Sequence, residues 1–247
     1  MKAALLVGGV GTRLRPLTYL VPKPMLPLAG KPLLVRTLDY LKGYGFEDIV
    51  LCVAYLKKQI IDYFEDGSQF GVNIEYAESE EPLGTAGQLR TAKGLLEDEA
   101  FLAMNGDIFT SLSLGKLVSF HEEKGAYLSI ALKRFDIKMP YGRIVTNGDE
   151  KITDFQEKPT ISFMANAGIY VCDPGIFDYF PPRDPSNLEY DVFPRVIDDG
   201  NPVFGFKSEA FWGDIGKLSD YEKLNGMSHN DTLADMAKKN GSKSQLI

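Results

Sequence analysis

Short apolar runs alternate with helical patterns along the first half of the chain, and that alternation admits few folds. The spacing predicts strands at Ala3 to Val7, Ile49 to Val53, Asn73 to Tyr76 and Phe101 to Met104, with helices near Leu33 to Lys42, Lys57 to Phe64 and Ala86 to Leu96. A strand, a helix and a further strand in this rhythm build βαβ units, and so a largely parallel sheet. After a helix predicted near Leu114 to Lys124, shorter strands with turns follow at Tyr127 to Leu132, Arg143 to Thr146, Ile152 to Gln156 and Ala165 to Val171. The fold expected is α/β: one domain over residues 1–227, a mainly parallel sheet flanked by helices, with the second half forming the far side of a cleft on the same core. The polar segment Ser228 to Ile247 reads as a loosely held tail.

At 247 residues the chain is long enough to bury a core without staples. Cys52 and Cys172 both lie in apolar, strand-like runs and fit reduced core residues of a cytoplasmic protein better than a disulfide. With only two cysteines and two histidines, widely spaced, no zinc site is expected. The absence of a long apolar run argues against a membrane span, and the formal charge of −7 argues against general nucleic-acid binding. Local cations should therefore serve small anionic ligands.

Those cations cluster at the first strand. It runs into Gly8-Gly9-Val10-Gly11-Thr12-Arg13-Leu14-Arg15-Pro16-Leu17-Thr18, followed by Pro22-Lys23-Pro24. A glycine-rich turn can bring backbone N–H groups close to an anion where a Cβ would clash, and Arg grips phosphate with two parallel hydrogen bonds. The string fits neither the P-loop nor the dinucleotide fingerprint. Prolines on both sides of Lys23 keep its segment non-helical and hold its ammonium at a defined place. Gly106-Asp107 falls at the carboxyl end of a buried strand, where open α/β sheets place ligands; Gly106 would leave room for a phosphate beside Asp107. By residue type alone, Asp107 reads first as a cap of a turn or helix, and Asp214 as an N-cap before a helix at Lys217.

These residues together resemble the sugar-phosphate nucleotidyltransferases, in which G-G-x-G-T-R-L-x-P-L-T is followed by P-K-P. The resemblance runs from Met1 to about Gly226, through Pro82 to Gly87, Gly106-Asp107, Glu157-Lys158-Pro159, Asn166 to Gly168 and Trp212 to Gly216. Within that family it is closest in motif to mannose-1-phosphate guanylyltransferases. It implies a Rossmann-like sheet of the nucleotide-diphospho-sugar transferase type. It also implies transfer of a nucleotidyl group from an NTP to a sugar 1-phosphate with Mg²⁺ as cofactor. Some relatives continue into a C-terminal β-helix of hexapeptide repeats; none is expected here.

The residue roles it implies follow the motifs. Arg13 and Lys23 are the expected catalytic cations on the phosphates, with Arg15 and Lys31 as weaker candidates. Leu6, Gly8, Gly9, Gly11, Thr12, Pro82, Gly84, Thr85 and Gly106 would join Arg13 and Lys23 in holding the nucleotide, Gly84 and Gly87 permitting close approach of the base and Gln88 facing solvent. Asp107 and Asp214 would hold the metal. Tyr141, Gly142, Glu157, Lys158, Asn166 and Gly168 would hold the sugar phosphate, while Trp212 is core, cleft wall or sugar platform.

Leu6-Val7-Gly8-Gly9 and Glu80 to Gly87 look most like mannose-1-phosphate guanylyltransferases, which implies GTP and mannose 1-phosphate as partners. Glucose 1-phosphate with UTP or dTTP, and a heptose 1-phosphate with GTP, are the alternatives. A non-catalytic nucleotide-sugar sensor is the reading from another class, opposed by the presence of every expected Arg, Lys and Asp. A glycosyltransferase is opposed by the lack of any Asp-x-Asp. A homo-oligomer is compatible with the sequence.

Overall fold

The computed structural model describes residues 1–225, so the segment Ser228 to Ile247 lies outside the described residues. Seven strands form one sheet in the spatial order Val203–Ser208, Leu128–Lys138, Thr160–Cys172, Phe101–Asn105, Ala3–Leu6, Asp48–Val53, Asn73–Glu78. Neighbours run parallel except at Thr160–Cys172, which is antiparallel to both of its partners. The expected mainly parallel α/β sheet is what the chain builds. Among the described residues there is no β-helix and no helix long and apolar enough to cross a membrane.

The strands are buried on both faces, and the period of two sorts their side chains. Ala3, Leu5, Ile49, Leu51, Leu102 and Met104 meet helices Leu33–Lys42, Lys57–Phe64 and Leu114–Lys124 through Leu34, Leu38, Ile60, Phe64 and Leu117. Ala4, Leu6, Val50, Cys52, Phe101 and Ala103 face the opposite layer of Ala86, Leu89, Leu96, Val192 and Val196. Both cysteines are free and buried, and burial pushes the Cys52 thiol up to about 12.

Three expectations are corrected. The helix predicted near Ala86 to Leu96 is two, Gly84–Thr91 and Lys93–Leu96. The Thr91 hydroxyl donates to the Gln88 carbonyl at 2.7 Å, which Ala92 N–H would otherwise take, and that N–H turns to Leu89 instead. The strands predicted to end near Leu132 and begin near Ala165 extend together to Lys138 and Thr160 as a long arm, because each supplies the other's backbone partners. Asp214 does not cap a helix: it ends a short strand, Trp212–Asp214, and the last described helix starts at Leu218.

His121 sits at 6% exposure with Nδ1 3.0 Å from Ser129 Oγ, and burial holds its pKa below the ordinary value of 6.5. As pH falls below that value the unfolded chain takes up the proton first, so stability declines until the folded-state pKa is passed. His121→Gln is expected to flatten the decline of Tm between about pH 7 and 5. An unchanged slope by calorimetry would move the acid sensitivity elsewhere.

Candidate active site

The first strand ends in a cleft of about 270 Å³ at the carboxyl edge of the parallel strands. Leu6, Gly9, Gly11, Thr12, Arg13, Lys23, Thr85, Gly106 and Asp107 all line it, so most of the residues expected around the nucleotide are gathered in one place. Gly8 is buried behind them. The turn is braced from outside: Thr18 Oγ1 donates to the Gly11 carbonyl at 2.9 Å, and Gly11 takes a φ of 65°. The N–H groups of Gly9, Val10 and Gly11 have no hydrogen-bond partner among the described residues. Adjacent unpaired amides at a strand end form an anion cradle.

The charges complete it. Lys23 Nζ pairs with Asp107 Oδ2, the lysine side chain being 14% exposed. Arg13 is exposed, lines the same cleft and sets its guanidinium beside Gly216, close to Asp214. Arg15 instead lies over the Tyr19 ring at 4.8 Å, and Lys31 sits in a small exposed hairpin; neither lines the cleft. Asp214 pairs in register with Ile108, and Ile215 N–H donates to the Asp107 carbonyl at 3.1 Å, so the two aspartates lie on hydrogen-bonded neighbouring segments. Asp214 itself lines an adjoining cavity of about 210 Å³. Two carboxylates with hard oxygens suit Mg²⁺, which commonly takes one or two protein carboxylates and completes its shell with water and phosphate. Among the described residues no cluster of three or more His, Cys, Asp or Glu could hold a metal without such help.

Two glycines are required by the protein's own packing. A Cβ on Gly84, whose φ is 75°, would stand 2.3 Å from the Ser186 carbonyl oxygen. A Cβ on Gly106 would stand 2.4 Å from Val7 Cγ1 and 3.0 Å from the Leu6 carbonyl, so the packing of the first strand already requires glycine at Gly106. Neither Pro82 nor Gly84 lines the cleft; Ser186 packs against Gly84, its carbonyl accepting from Ala86 and Gly87 N–H and its N–H donating to Leu83. Only Thr85 of that loop reaches the cleft wall.

The residues expected to hold the sugar phosphate do not line this cleft. Tyr141, Gly142, Glu157 and Lys158 are exposed on the arm, where a Cβ on Gly142 would come within 2.9 Å of Glu157 Oε2, and Lys158 holds a φ of 46°. A left-handed, non-glycine residue is uncommon, and such outliers cluster at functional sites. Closer in, a bulge between Asn166 and Tyr170 turns Asn166 back so that its Oδ1 accepts Gly168 N–H at 2.8 Å. Gly168 abuts Asn105, which lines the cleft. Asn166 Nδ2 donates to Tyr170 Oη, Tyr170 to Glu189 Oε1, and Thr85 Oγ1 to Glu189 Oε2, at 2.8, 3.2 and 3.0 Å. Burial raises the Tyr170 pKa above its ordinary value, which keeps its hydroxyl a donor. This relay ties strand Thr160–Cys172 to the cleft helix. Trp212 packs against the core and lines the adjoining cavity, not the cleft: Nε1 donates to the Ala167 carbonyl at 2.8 Å and its ring meets Phe135 edge-on.

Sequence reasoning passed over Asn105, Tyr170 and Glu189, and set Gln88 in solvent. Gln88 is 6% exposed, lines the cleft and accepts Gly8 N–H at 2.9 Å. Asn105 Oδ1 is buried without a partner among the described residues. A polar residue at the end of an otherwise apolar strand was the available signal for Asn105; the other three depend on contacts between distant segments.

A family model described as Nucleotidyl transferase matches residues 2–230. Over 238 residues the chain is 37% identical to a UTP–glucose-1-phosphate uridylyltransferase of Synechocystis sp., covering 90% of this chain and 61% of that protein. It is 35% identical over 224 residues to a mannose-1-phosphate guanylyltransferase of Mycobacterium tuberculosis, covering 89% of this chain and 62% of that one. The chain thus spans about three-fifths of the length of these curated relatives. The crystal structure of HddC from Yersinia pseudotuberculosis complexed with GMP-PN superposes with a TM-score of 0.72 at 28% identity, covering 91% of this chain and 97% of that one.

Proposed function

We propose that this chain, which belongs to the nucleotidyl transferase family, joins an NTP to a sugar 1-phosphate with release of pyrophosphate, GTP and mannose 1-phosphate being the preferred pair. The observation that carries the reading is the meeting of unpaired turn amides, Arg13, and the Lys23 and Asp107 pair in one cleft. The guanylyltransferase relative and the motif around Glu80 to Gly87 support the guanine and mannose pair. The uridylyltransferase relative favours the second reading, UTP with glucose 1-phosphate.

In the reaction an oxygen of the sugar phosphate forms a bond to the α-phosphorus, and the bond from that phosphorus to the bridging oxygen breaks, so pyrophosphate leaves with the electron pair. No covalent enzyme intermediate is required, and catalysis rests on positioning and charge. The amides of Gly9 to Gly11 receive phosphate oxygens, and Arg13 follows the charge that moves onto the leaving pyrophosphate. Lys23, held against Asp107 without ligand, gains a second anionic partner when triphosphate arrives. Asp107 and Asp214 would hold Mg²⁺, which supplies charge neutralisation and in-line alignment when bound. Glu157 accepts sugar hydroxyls and Lys158 pairs with the sugar phosphate.

The test is pyrophosphate release with GTP, UTP, dTTP, CTP and ATP against mannose, glucose, N-acetylglucosamine and heptose 1-phosphates. A dominant GTP and mannose 1-phosphate rate supports the reading; no release in any combination from folded protein turns it toward a sensor. Lys158→Gly is expected to raise KM for the sugar phosphate about tenfold or more while leaving KM for NTP near its original value. Its stability should hold or rise, because the residue is exposed and glycine adopts φ 46° without strain. Equal changes in both KM values would place Lys158 outside the acceptor site.

A further inference from the structure

We propose that Gln88 reads the nucleobase, donating from its side-chain amide to a carbonyl oxygen on the base edge. The inference rests on the nucleotidyl transfer reading and deepens it. A backbone N–H can only donate, so the atom of Gln88 that faces Gly8 N at 2.9 Å is the oxygen. That contact fixes the amide's orientation and leaves Nε2 as the group free to act on a ligand. Nε2 carries two donor hydrogens and has no hydrogen-bond partner among the described residues, although the side chain is only 6% exposed. What exposure it keeps is toward the cleft that it lines with Leu6, Thr85 and Asn105.

The contacts set Gln88 apart from the cations. Lys23 pairs with Asp107 and packs by Gly11, and Arg13 lies by Gly216. Gln88 contacts Gly8 instead, at the start of the turn. Cations suit phosphates; a neutral amide donor that opens on the cleft without a partner suits a neutral acceptor. Among nucleobases that acceptor is a keto oxygen, present on the variable edge of guanine, uracil and thymine and replaced by an amino group in adenine and cytosine. An amino group would set donor against donor, so the same residue both favours keto bases and disfavours amino bases.

The experiment is equilibrium binding of GTP, UTP, dTTP, ATP and CTP to the wild-type protein, Gln88→Glu and Gln88→Met, followed by titration calorimetry. Gln88→Glu keeps an acceptor for Gly8 N–H at nearly equal size, and Gln88→Met removes both functions. We expect wild type to prefer keto nucleotides. Gln88→Met should weaken their binding by about ten- to a hundredfold while changing ATP and CTP far less, and Gln88→Glu, whose carboxylate can accept from an amino group, should shift the preference toward ATP and CTP. Equal losses for all five nucleotides would overturn the proposal and assign Gln88 to bracing the turn or to the shared ribose. A wild-type preference for ATP or CTP would overturn it as well. If wild type binds none of the five, the nucleotidyl transfer reading itself falls, which separates the two failures.

Discussion

Asp107→Asn is expected to lower kcat by a hundredfold or more with a modest fall in the melting temperature, the scale in rate seen when an enzyme loses one preorganised electrostatic stabiliser. Asparagine keeps the size and an acceptor for Lys23 but not the charge. The loss should fall on kcat and kcat/KM together if the carboxylate acts in the transition state. The pair is part-buried, its side chains 14% and 28% exposed, so some loss of stability accompanies the change, and a Lys23→Met, Asp107→Asn double mutant separates the two effects. Chelation with EDTA should produce a comparable loss in wild type and little further loss in the variant. Near-normal turnover of Asp107→Asn, or a wild-type rate indifferent to chelator, would remove Asp107 from metal binding.

Gly84→Ala should cost about 3 kcal/mol or more, a large share of the 5 to 15 kcal/mol that holds a typical domain folded. Two penalties combine: the φ of 75° disfavours any side chain, and the new Cβ would lie 2.3 Å from a backbone oxygen that cannot swing away. Ser186 also accepts two amide hydrogen bonds from Ala86 and Gly87, so pushing it aside breaks those too. Gly9→Ala is the matched control, since a Cβ there meets nothing within 4 Å, and its stability should change by less than about 0.5 kcal/mol. Urea denaturation of the two variants side by side measures the difference. Equal midpoints would show that the 184–187 segment is not packed against the cleft helix as described.

The helices Leu33–Lys42, Lys57–Phe64 and Leu114–Lys124 and the hairpin strands Arg143–Thr146 and Ile152–Gln156 were legible in the sequence to the residue, because their periodicity and boundaries are local properties of the chain. The gathering of the glycine-rich turn and its cations at one cleft was legible as well. Gly9, Gly11, Arg13 and Lys23 are close in sequence, and Asp107 ends a strand whose parallel pairing with Ala3–Leu6 brings it beside them. Mutual support across distance was not legible. Tyr170 and Glu189 read as an aromatic core residue and a charged one, and only the fold makes them a relay from Asn166 to Thr85. Gln88 reads as a polar helix residue until the first turn closes over it.

The sequence by itself determined the βαβ rhythm, the glycine-rich turn and its cations, since these follow from side-chain period, backbone freedom and charge within a few residues. Tertiary structure alone decided why Gly84 and Gly106 are glycines, where Gln88 points and which strand extends into the arm. Those depend on atoms brought within a few ångströms by chain segments up to a hundred residues apart, such as Gly84 and Ser186, and steric exclusion and hydrogen-bond pairing act on distance in space.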